Sequence, residues 1–147
     1  MTLKRILMLI PVAIVGGFLL IQLVPYGRNH DNPAVTSEPN WDSPETRELA
    51  KTACFDCHSN ETDWSPWYAS VAPSSWLVQH DVEEGRQHLN FSEWNDGGRP
   101  RELDELWEVL EKGEMPPAVY ILQHPEADLT PAQVEQLISG LQATVRN

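Results

Sequence analysis

The chain has 147 residues, enough for one domain and little more, and a net charge of −12 that is unevenly distributed. Residues 1–30 carry three basic side chains and no acidic one, whereas residues 31–147 carry seven basic and twenty-two acidic residues, a net charge of −15. A body this acidic is repelled by nucleic acid and by anionic lipid surfaces, so we expect no nucleic-acid partner. A partner steered to it by long-range electrostatics is expected to be basic; the alternative is that the charge only keeps the protein soluble.

The N-terminal segment is apolar, since residues 6–26 read ILMLIPVAIVGGFLLIQLVPY and contain no charge. About 20 such residues span the hydrocarbon core of a bilayer. Lys4 and Arg5 precede the segment, which places the N-terminus in the cytoplasm by the positive-inside rule. We predict one uncleaved transmembrane helix within residues 1–26, with the rest of the chain on the far side of the membrane. A cleaved secretory signal is the alternative, although the apolar run is long and no small-x-small cleavage site follows it.

Residues 27–42 contain two prolines and several turn-forming residues without an apolar period, which predicts a tether. The domain predicted after it, residues 43–147, begins with a helix. Ser43 is the N-cap of that helix, Pro44 takes its first position, and the helix runs into the two cysteines of the chain.

Three further helices follow in the same domain. A weaker one covers residues 74–89. The next begins near residue 101 and ends at the natural stop Gly113; it has apolar residues at spacings i, i+3, i+4 and i+7, namely Leu103, Leu106, Trp107 and Leu110. The last begins at Thr130-Pro131, where Gln133 completes a capping box. No stretch alternates strictly enough to predict a strand, so the expected fold is all-α.

Both cysteines lie in one short stretch, where Cys54 and Cys57 are followed directly by His58. A Cys-x-x-Cys pair serves as a redox dithiol, as half of a zinc site or as the attachment point of a c-type haem. A structural zinc site takes four ligands and a thioredoxin-like dithiol needs a βαβ setting, and neither is predicted here. Cys-x-x-Cys-His fits haem: both thiols become thioethers and His58 is the proximal iron ligand. We predict one covalently attached haem c.

Met115 is the candidate for the second iron ligand. It is the only methionine after residue 8, and it lies in the sequence GEMPP between two predicted helices. The distal methionine of small c-type cytochromes occupies such a loop. The alternative role is a core filler, as for most methionines. His80, His88 and His124 are the fallback ligands.

Three segments extend this pattern: CFDCHSNETDWSPWY, APSSWLVQHDVEEGRQHLNFSEW and GEMPPAVYILQHPEADLT. Together they resemble the bacterial haem-binding domain family of short, membrane-anchored or exported, c-type cytochrome-like proteins, over roughly residues 41–143. The resemblance implies a small cytochrome c-like helical domain with covalent haem at Cys54 and Cys57, His58 proximal and Met115 distal. With the predicted N-terminal anchor, the expected location is the bacterial inner membrane, with the haem domain in the periplasm or outside. Ser65 departs from the pattern, because it separates Trp64 from Pro66.

Two functions fit this reading. The first is a non-catalytic carrier of single electrons in an extracytoplasmic redox chain, because a six-coordinate His/Met iron has no open position for chemistry. Its partners are then the membrane and redox proteins with a basic docking surface. The alternative is a haem-based sensor or small haem enzyme for peroxide or a diatomic gas, which needs an open distal position. A haem-free module requires the Cys-x-x-Cys-His pattern to be accidental.

Overall fold

The computed structural model describes residues 3–64 and 66–146, with side chains from Leu7 onward. Ser65 and the side chains of Lys4 and Arg5 lie outside the described residues, so the orientation inferred from these two cations stays a prediction. The described chain is helical and contains no named strand, which confirms the all-α fold. In chain order its α-helices are α1 (Leu3–Ile21), α2 (Pro44–Ala53), α3 (Phe55–His58), α4 (Ser74–His88), α5 (Leu103–Glu111), α6 (Ala118–Ile121) and α7 (Pro131–Arg146).

The predicted transmembrane helix is not supported. Among the residues that the structure describes, no helix is long and apolar enough to cross a membrane. Helix α1 ends at Ile21, before the end of the apolar sequence, and its bounds include the charged positions Lys4 and Arg5.

The chain divides into two compact units. The first consists of Met1–Asp31 and Trp64–Asp81 and contains α1 and the first half of α4. In this unit the Gln22 side chain pairs with the backbone of Ala72, donating to its carbonyl at 2.8 Å and accepting from its N–H at 3.1 Å. The ring of His30 stacks on Trp64 with 4.6 Å between ring centroids.

The second unit consists of Asn32–Asp63 and Val82–Asn147 and contains all four predicted haem-site residues. Three of the predicted helix ends in this unit are confirmed, at the start of α2, at the start of α7 and just after α5. The Ser43 hydroxyl accepts a hydrogen bond from the Thr46 N–H at the start of α2. The Thr130 N–H donates to the Gln133 side chain at 2.9 Å, which confirms the capping box of α7. Gly113, just beyond α5, has φ +67°, a left-handed conformation that glycine adopts at little cost.

The hydrophobic core of this unit draws on α2, α3, α5 and α7 and on the stretch that follows α4. Its buried members are Ala50, Phe55, Leu89, Phe91, Trp94, Leu110, Leu137 and Leu141. Phe91 stacks between two other aromatic rings, with centroid distances of 5.5 Å to Phe55 and 6.0 Å to Trp94. Because Phe55 lies between the two cysteines in sequence, the core itself anchors the cysteine motif.

Residues 32–42, part of the predicted tether, are hydrogen-bonded to the rest of the second unit. The N–H groups of Thr36 and Ser37 donate to the Ser92 carbonyl at 2.9 and 3.0 Å. The Arg47 guanidinium donates to both carboxylate oxygens of Glu38, at 2.8 and 2.7 Å. These contacts attach the segment to the core, while the domain boundary at residue 42 stays a prediction.

Candidate functional site

The cysteine motif forms a single helical turn directly after α2. The N–H groups of Cys57 and His58 donate to the Cys54 carbonyl at 3.2 and 2.9 Å. Phe55, only 2% exposed, fills the core beneath the turn. The structure therefore brings the three predicted motif residues together on one turn: Cys57 and His58 lie on the short helix α3, and Cys54 is its N-cap.

The imidazole of His58 is held in one orientation by backbone carbonyls. Its Nδ1 lies 2.9 Å from the Gly85 carbonyl oxygen and 3.2 Å from that of Leu89. A nitrogen facing two acceptors carries the proton, which leaves Nε2 as the nitrogen with a lone pair. Burial also lowers the pKa of His58, so the ring is neutral at pH 7. A metal-ligating histidine has this arrangement, with the second nitrogen fixed by a hydrogen bond.

Gly85 allows α4 to approach the motif closely enough to supply that carbonyl. A Cβ built at residue 85 would lie 2.5 Å from the Cys57 carbonyl oxygen and 3.0 Å from the Cys57 Cβ. Real Cβ atoms do not approach so closely, so any larger residue must push the helix and the turn apart. An isolated glycine inside a helical pattern is the sequence signal that could have revealed this contact.

A buried polar network holds the residues that follow His58. The Asn60 side chain donates to Glu93 Oε1 at 2.8 Å and accepts from Asn90 Nδ2 at 2.9 Å. The backbone N–H of Asn60 donates to the Ser92 hydroxyl at 2.9 Å, and the Phe91 N–H donates to the His58 carbonyl at 2.8 Å. The sequence Asn-Phe-Ser-Glu-Trp, which entered the sequence argument only through the family resemblance, thus supports the cysteine motif.

Arg86 adds a second support from α4. Its guanidinium donates from Nε to the Ser59 carbonyl at 2.8 Å and from Nη2 to Thr62 Oγ1 at 3.0 Å and Asn32 Oδ1 at 3.1 Å. Burial lowers the pKa of Arg86. These bonds fix the loop after the motif, and the sequence did not predict them.

The surroundings of Cys54 disfavour the two other uses of the cysteine pair, a redox dithiol and a zinc site. Both cysteines are thiols. Burial raises the pKa of Cys54 to about 12, and the electrostatic effect of Cys57 contributes less. A reactive redox cysteine has a lowered pKa instead. Within the described residues, no three His, Cys, Asp or Glu side chains gather as a metal site, so a zinc centre finds no ligand set there.

Met115 lies in the loop between α5 and α6 and is 40% exposed. Its backbone N–H donates to the Val109 carbonyl at 3.3 Å. Helix α6 follows this loop directly, and its Tyr120 hydroxyl donates to Asp56 Oδ2 at 2.6 Å. Asp56 is the residue before Cys57, so the segment that carries Met115 is connected to the cysteine turn through Tyr120. Burial, then the bond to Asp56, raises the pKa of Tyr120 well above its usual range, and the phenol stays protonated.

The three fallback histidines lie in different surroundings. His80 and His88 are exposed on α4, and His80 Nδ1 lies 3.6 Å from an oxygen of Asp81. His124 is partly buried and stacks on Tyr120, with 4.3 Å between ring centroids.

The residues present fit a haem. Two thiols lie three positions apart on one helical turn, and next to them is a neutral imidazole whose Nδ1 proton is already bound. The thiols would hold the porphyrin edge and Nε2 of His58 would bind the iron.

Comparison with known proteins gives the same cofactor. Searches of curated proteins and of solved structures found no match to this chain. The model of the haem-binding domain family matches residues 16–143, which is most of the chain and extends well before the cysteine motif. The chain therefore belongs to the haem-binding domain family, and haem is its cofactor.

Proposed function

We propose that this protein is a c-type cytochrome-like electron carrier. In this proposal Cys54 and Cys57 attach the haem as thioethers, His58 is the proximal iron ligand and Met115 is the distal one. The observation that carries the proposal is the His58 ring, whose Nδ1 lies against the carbonyls of Gly85 and Leu89 so that Nε2 is left for iron.

The haem, once bound, supplies a one-electron Fe(III)/Fe(II) couple. The chain's own residues determine how that couple behaves. His58 is kept neutral and fixed, so little rearrangement of the proximal side accompanies electron transfer. A thioether from Met115 favours ferrous iron and raises the reduction potential. We propose no substrate chemistry at this site.

We further propose that residues 1–26 export the domain and keep it at the bacterial inner membrane, with the haem in the periplasm or outside. Large apolar side chains along α1 are exposed, such as Met8 at 74% and Leu20 at 66%. Exposed apolar surface is costly in water and is covered at a bilayer. On the oxidising side of the membrane two free thiols would form a disulfide, and thioether bonds to haem would prevent this. The acidic domain would then exchange electrons with basic redox proteins.

Exposure of Met115 favours a second candidate function. A side chain that is 40% exposed is displaced more easily than a buried one. If a small molecule replaces Met115 at the iron, the protein is a haem-based sensor or a small haem enzyme for peroxide or a diatomic gas. The two functions differ in whether the thioether stays bound to ferrous iron.

Covalent attachment is tested with the double variant Cys54→Ser/Cys57→Ser, produced with a c-type maturation system. We expect the parent haem to survive acid–acetone extraction and denaturing electrophoresis, and the double variant to lose it. Thr52→Ser, in α2 just before the motif, is the matched control and should keep its haem. Full retention of haem by the double variant would contradict thioether attachment.

The distal ligand is tested with Met115→Ala. The variant should lose the weak long-wavelength band of methionine-ligated ferric haem and should bind carbon monoxide readily when reduced. Its reduction potential should fall by on the order of 0.1 V, given the roughly 0.8 V range over which axial ligands act. His80→Ala and His88→Ala, two exposed positions, are the controls and should match the parent. A parent that binds carbon monoxide freely, with no effect of Met115→Ala, would favour the sensor or enzyme instead.

The location is tested with a reporter fused after the C-terminus. It should be active only outside the cytoplasm, and the intact chain should remain with membranes after high-salt and carbonate washes. A soluble form that begins near residue 27 would instead identify the apolar segment as a cleaved signal.

A further inference from the structure

Tyr120 connects the Met115 segment, residues 115–124, to the turn Cys54–His58, which is the haem-attachment turn of the proposal. Its hydroxyl donates to Asp56 Oδ2 at 2.6 Å, a short bond to a side-chain oxygen. Asp56 lies between the two cysteines of the motif, while Tyr120 lies five residues after Met115. The bond thus joins the stretches that supply the two proposed iron ligands.

The Asp56 end of this bond is fixed by other contacts. The second carboxylate oxygen of Asp56, Oδ1, accepts the N–H of Asp63 at 2.8 Å. The main-chain carbonyl of Asp56 accepts the hydroxyl of Thr62 at 2.7 Å. Because both sides of Asp56 are occupied, the carboxylate that receives Tyr120 has little freedom to turn away.

The Tyr120 end is coupled to Met115 through a stiff stretch of chain. Pro116 and Pro117 separate Met115 from α6, and proline rings fix the backbone φ angle. The Tyr120 N–H donates to the Pro117 carbonyl at 2.9 Å, so the tyrosine belongs to the same turn as the second proline. His124 stacks on the phenol ring and supports its orientation. A shift of Tyr120 must therefore be passed on to Met115.

We propose that Tyr120 is a positioning residue: its hydrogen bond to Asp56 holds the Met115 segment against the haem-attachment turn and so keeps the thioether on the iron. This inference rests on the proposed His58/Met115 ligation. Tyr120 does not touch the iron in this proposal. It determines the fraction of the protein in which the thioether has left the iron. That fraction can bind another ligand, whereas the rest carries electrons only.

The test compares Tyr120→Phe with the parent holoprotein. Loss of this hydrogen bond should raise the open fraction of the distal site on the order of tenfold. We expect faster carbon monoxide binding to the reduced protein by a similar factor, a weaker methionine band in the oxidised protein and faster amide hydrogen exchange over residues 118–124. Tyr26→Phe, which removes a tyrosine hydroxyl from the first unit, is the matched control and should match the parent.

Asp56→Ala removes the acceptor of the same hydrogen bond. It should also speed carbon monoxide binding, and the double variant Tyr120→Phe/Asp56→Ala should be no faster than the faster single variant, because both remove one shared interaction. If Met115→Ala opens the site while Tyr120→Phe matches the parent in all three measurements, the positioning role is wrong and the proposed ligation stands. If Met115→Ala changes nothing, the ligation itself is wrong, and the positioning role falls with it.

Discussion

The Cys54–His58 turn and the Met115 segment supply the two proposed iron ligands, and they are held in different ways. The turn lies on a buried phenylalanine and is supported by the carbonyls of α4 and by the network around Asn60. The Met115 segment is exposed at Met115, Val119 and Leu122 and is connected to the turn through Tyr120. In the proposed ligation, the proximal ligand therefore lies on the more extensively supported stretch and the distal ligand on the more exposed one.

The largest effect on this contrast is expected from Gly85→Ala. The new Cβ would meet the Cys57 carbonyl oxygen at 2.5 Å, and we expect a loss of about 3 kcal/mol in the free energy of unfolding. Helix propensity alone favours alanine by about 1 kcal/mol, so the sign of the change is diagnostic. Urea unfolding measures it, with the exposed Gln87→Ala as the control in the same helix. A stabilised Gly85→Ala would show that α4 does not pack closely on the turn.

The next largest effect is expected from Asn90→Ala. The substitution leaves the Asn60 side-chain oxygen Oδ1 and the Ser92 N–H without their buried partner, which should cost about 2 kcal/mol. Asn40→Ala, at an exposed asparagine, should change the unfolding free energy little. Equal effects of the two variants would mean that the network does not support the motif.

A smaller effect is expected from the ion pair of Glu38 and Arg47, which attaches the segment before α2. The Arg47 hydrogen bond lowers the pKa of Glu38, so the stabilisation is present above the ordinary value of 4.5 and is lost as the pH falls through the lowered one. We expect Glu38→Gln to cost less than about 1 kcal/mol at pH 7, with the difference from the parent shrinking below pH 4.5. Urea unfolding between pH 7 and pH 3 checks this, and a difference that grows on acidification would contradict it.

The smallest effect is expected on the distal side. Leu122 is 75% exposed, so Leu122→Ala should change the unfolding free energy by no more than about 0.5 kcal/mol. The same truncation at the fully buried Leu137 should cost about 3 kcal/mol. Thermal or urea unfolding compares the two directly. A large loss at Leu122 would mean that the Met115 segment is held more firmly than its exposure indicates.

Local signals in the sequence were sufficient for most of the longer helices and for the turn that carries the cysteine motif. Ser43 and Pro44 start α2, Thr130 and Gln133 cap α7, and Gly113 follows the end of α5, because capping depends only on residues a few positions apart. The Cys-x-x-Cys-His turn is local for the same reason. The transmembrane helix predicted from the apolar N-terminal sequence is not supported by the part of the chain that the structure describes.

Only the tertiary structure decided what surrounds the motif. The Gly85 carbonyl that fixes His58 comes from 27 positions away, and the Tyr120 hydroxyl that reaches Asp56 comes from 64 positions away. No periodicity or spacing encodes such pairs, since they depend on how the helices pack and on which side chains are small enough for a close approach. The sequence by itself indicated haem as the cofactor and His58 as its proposed proximal ligand; packing determined which backbone carbonyls and side chains hold the Cys54–His58 turn and the Met115 segment in place.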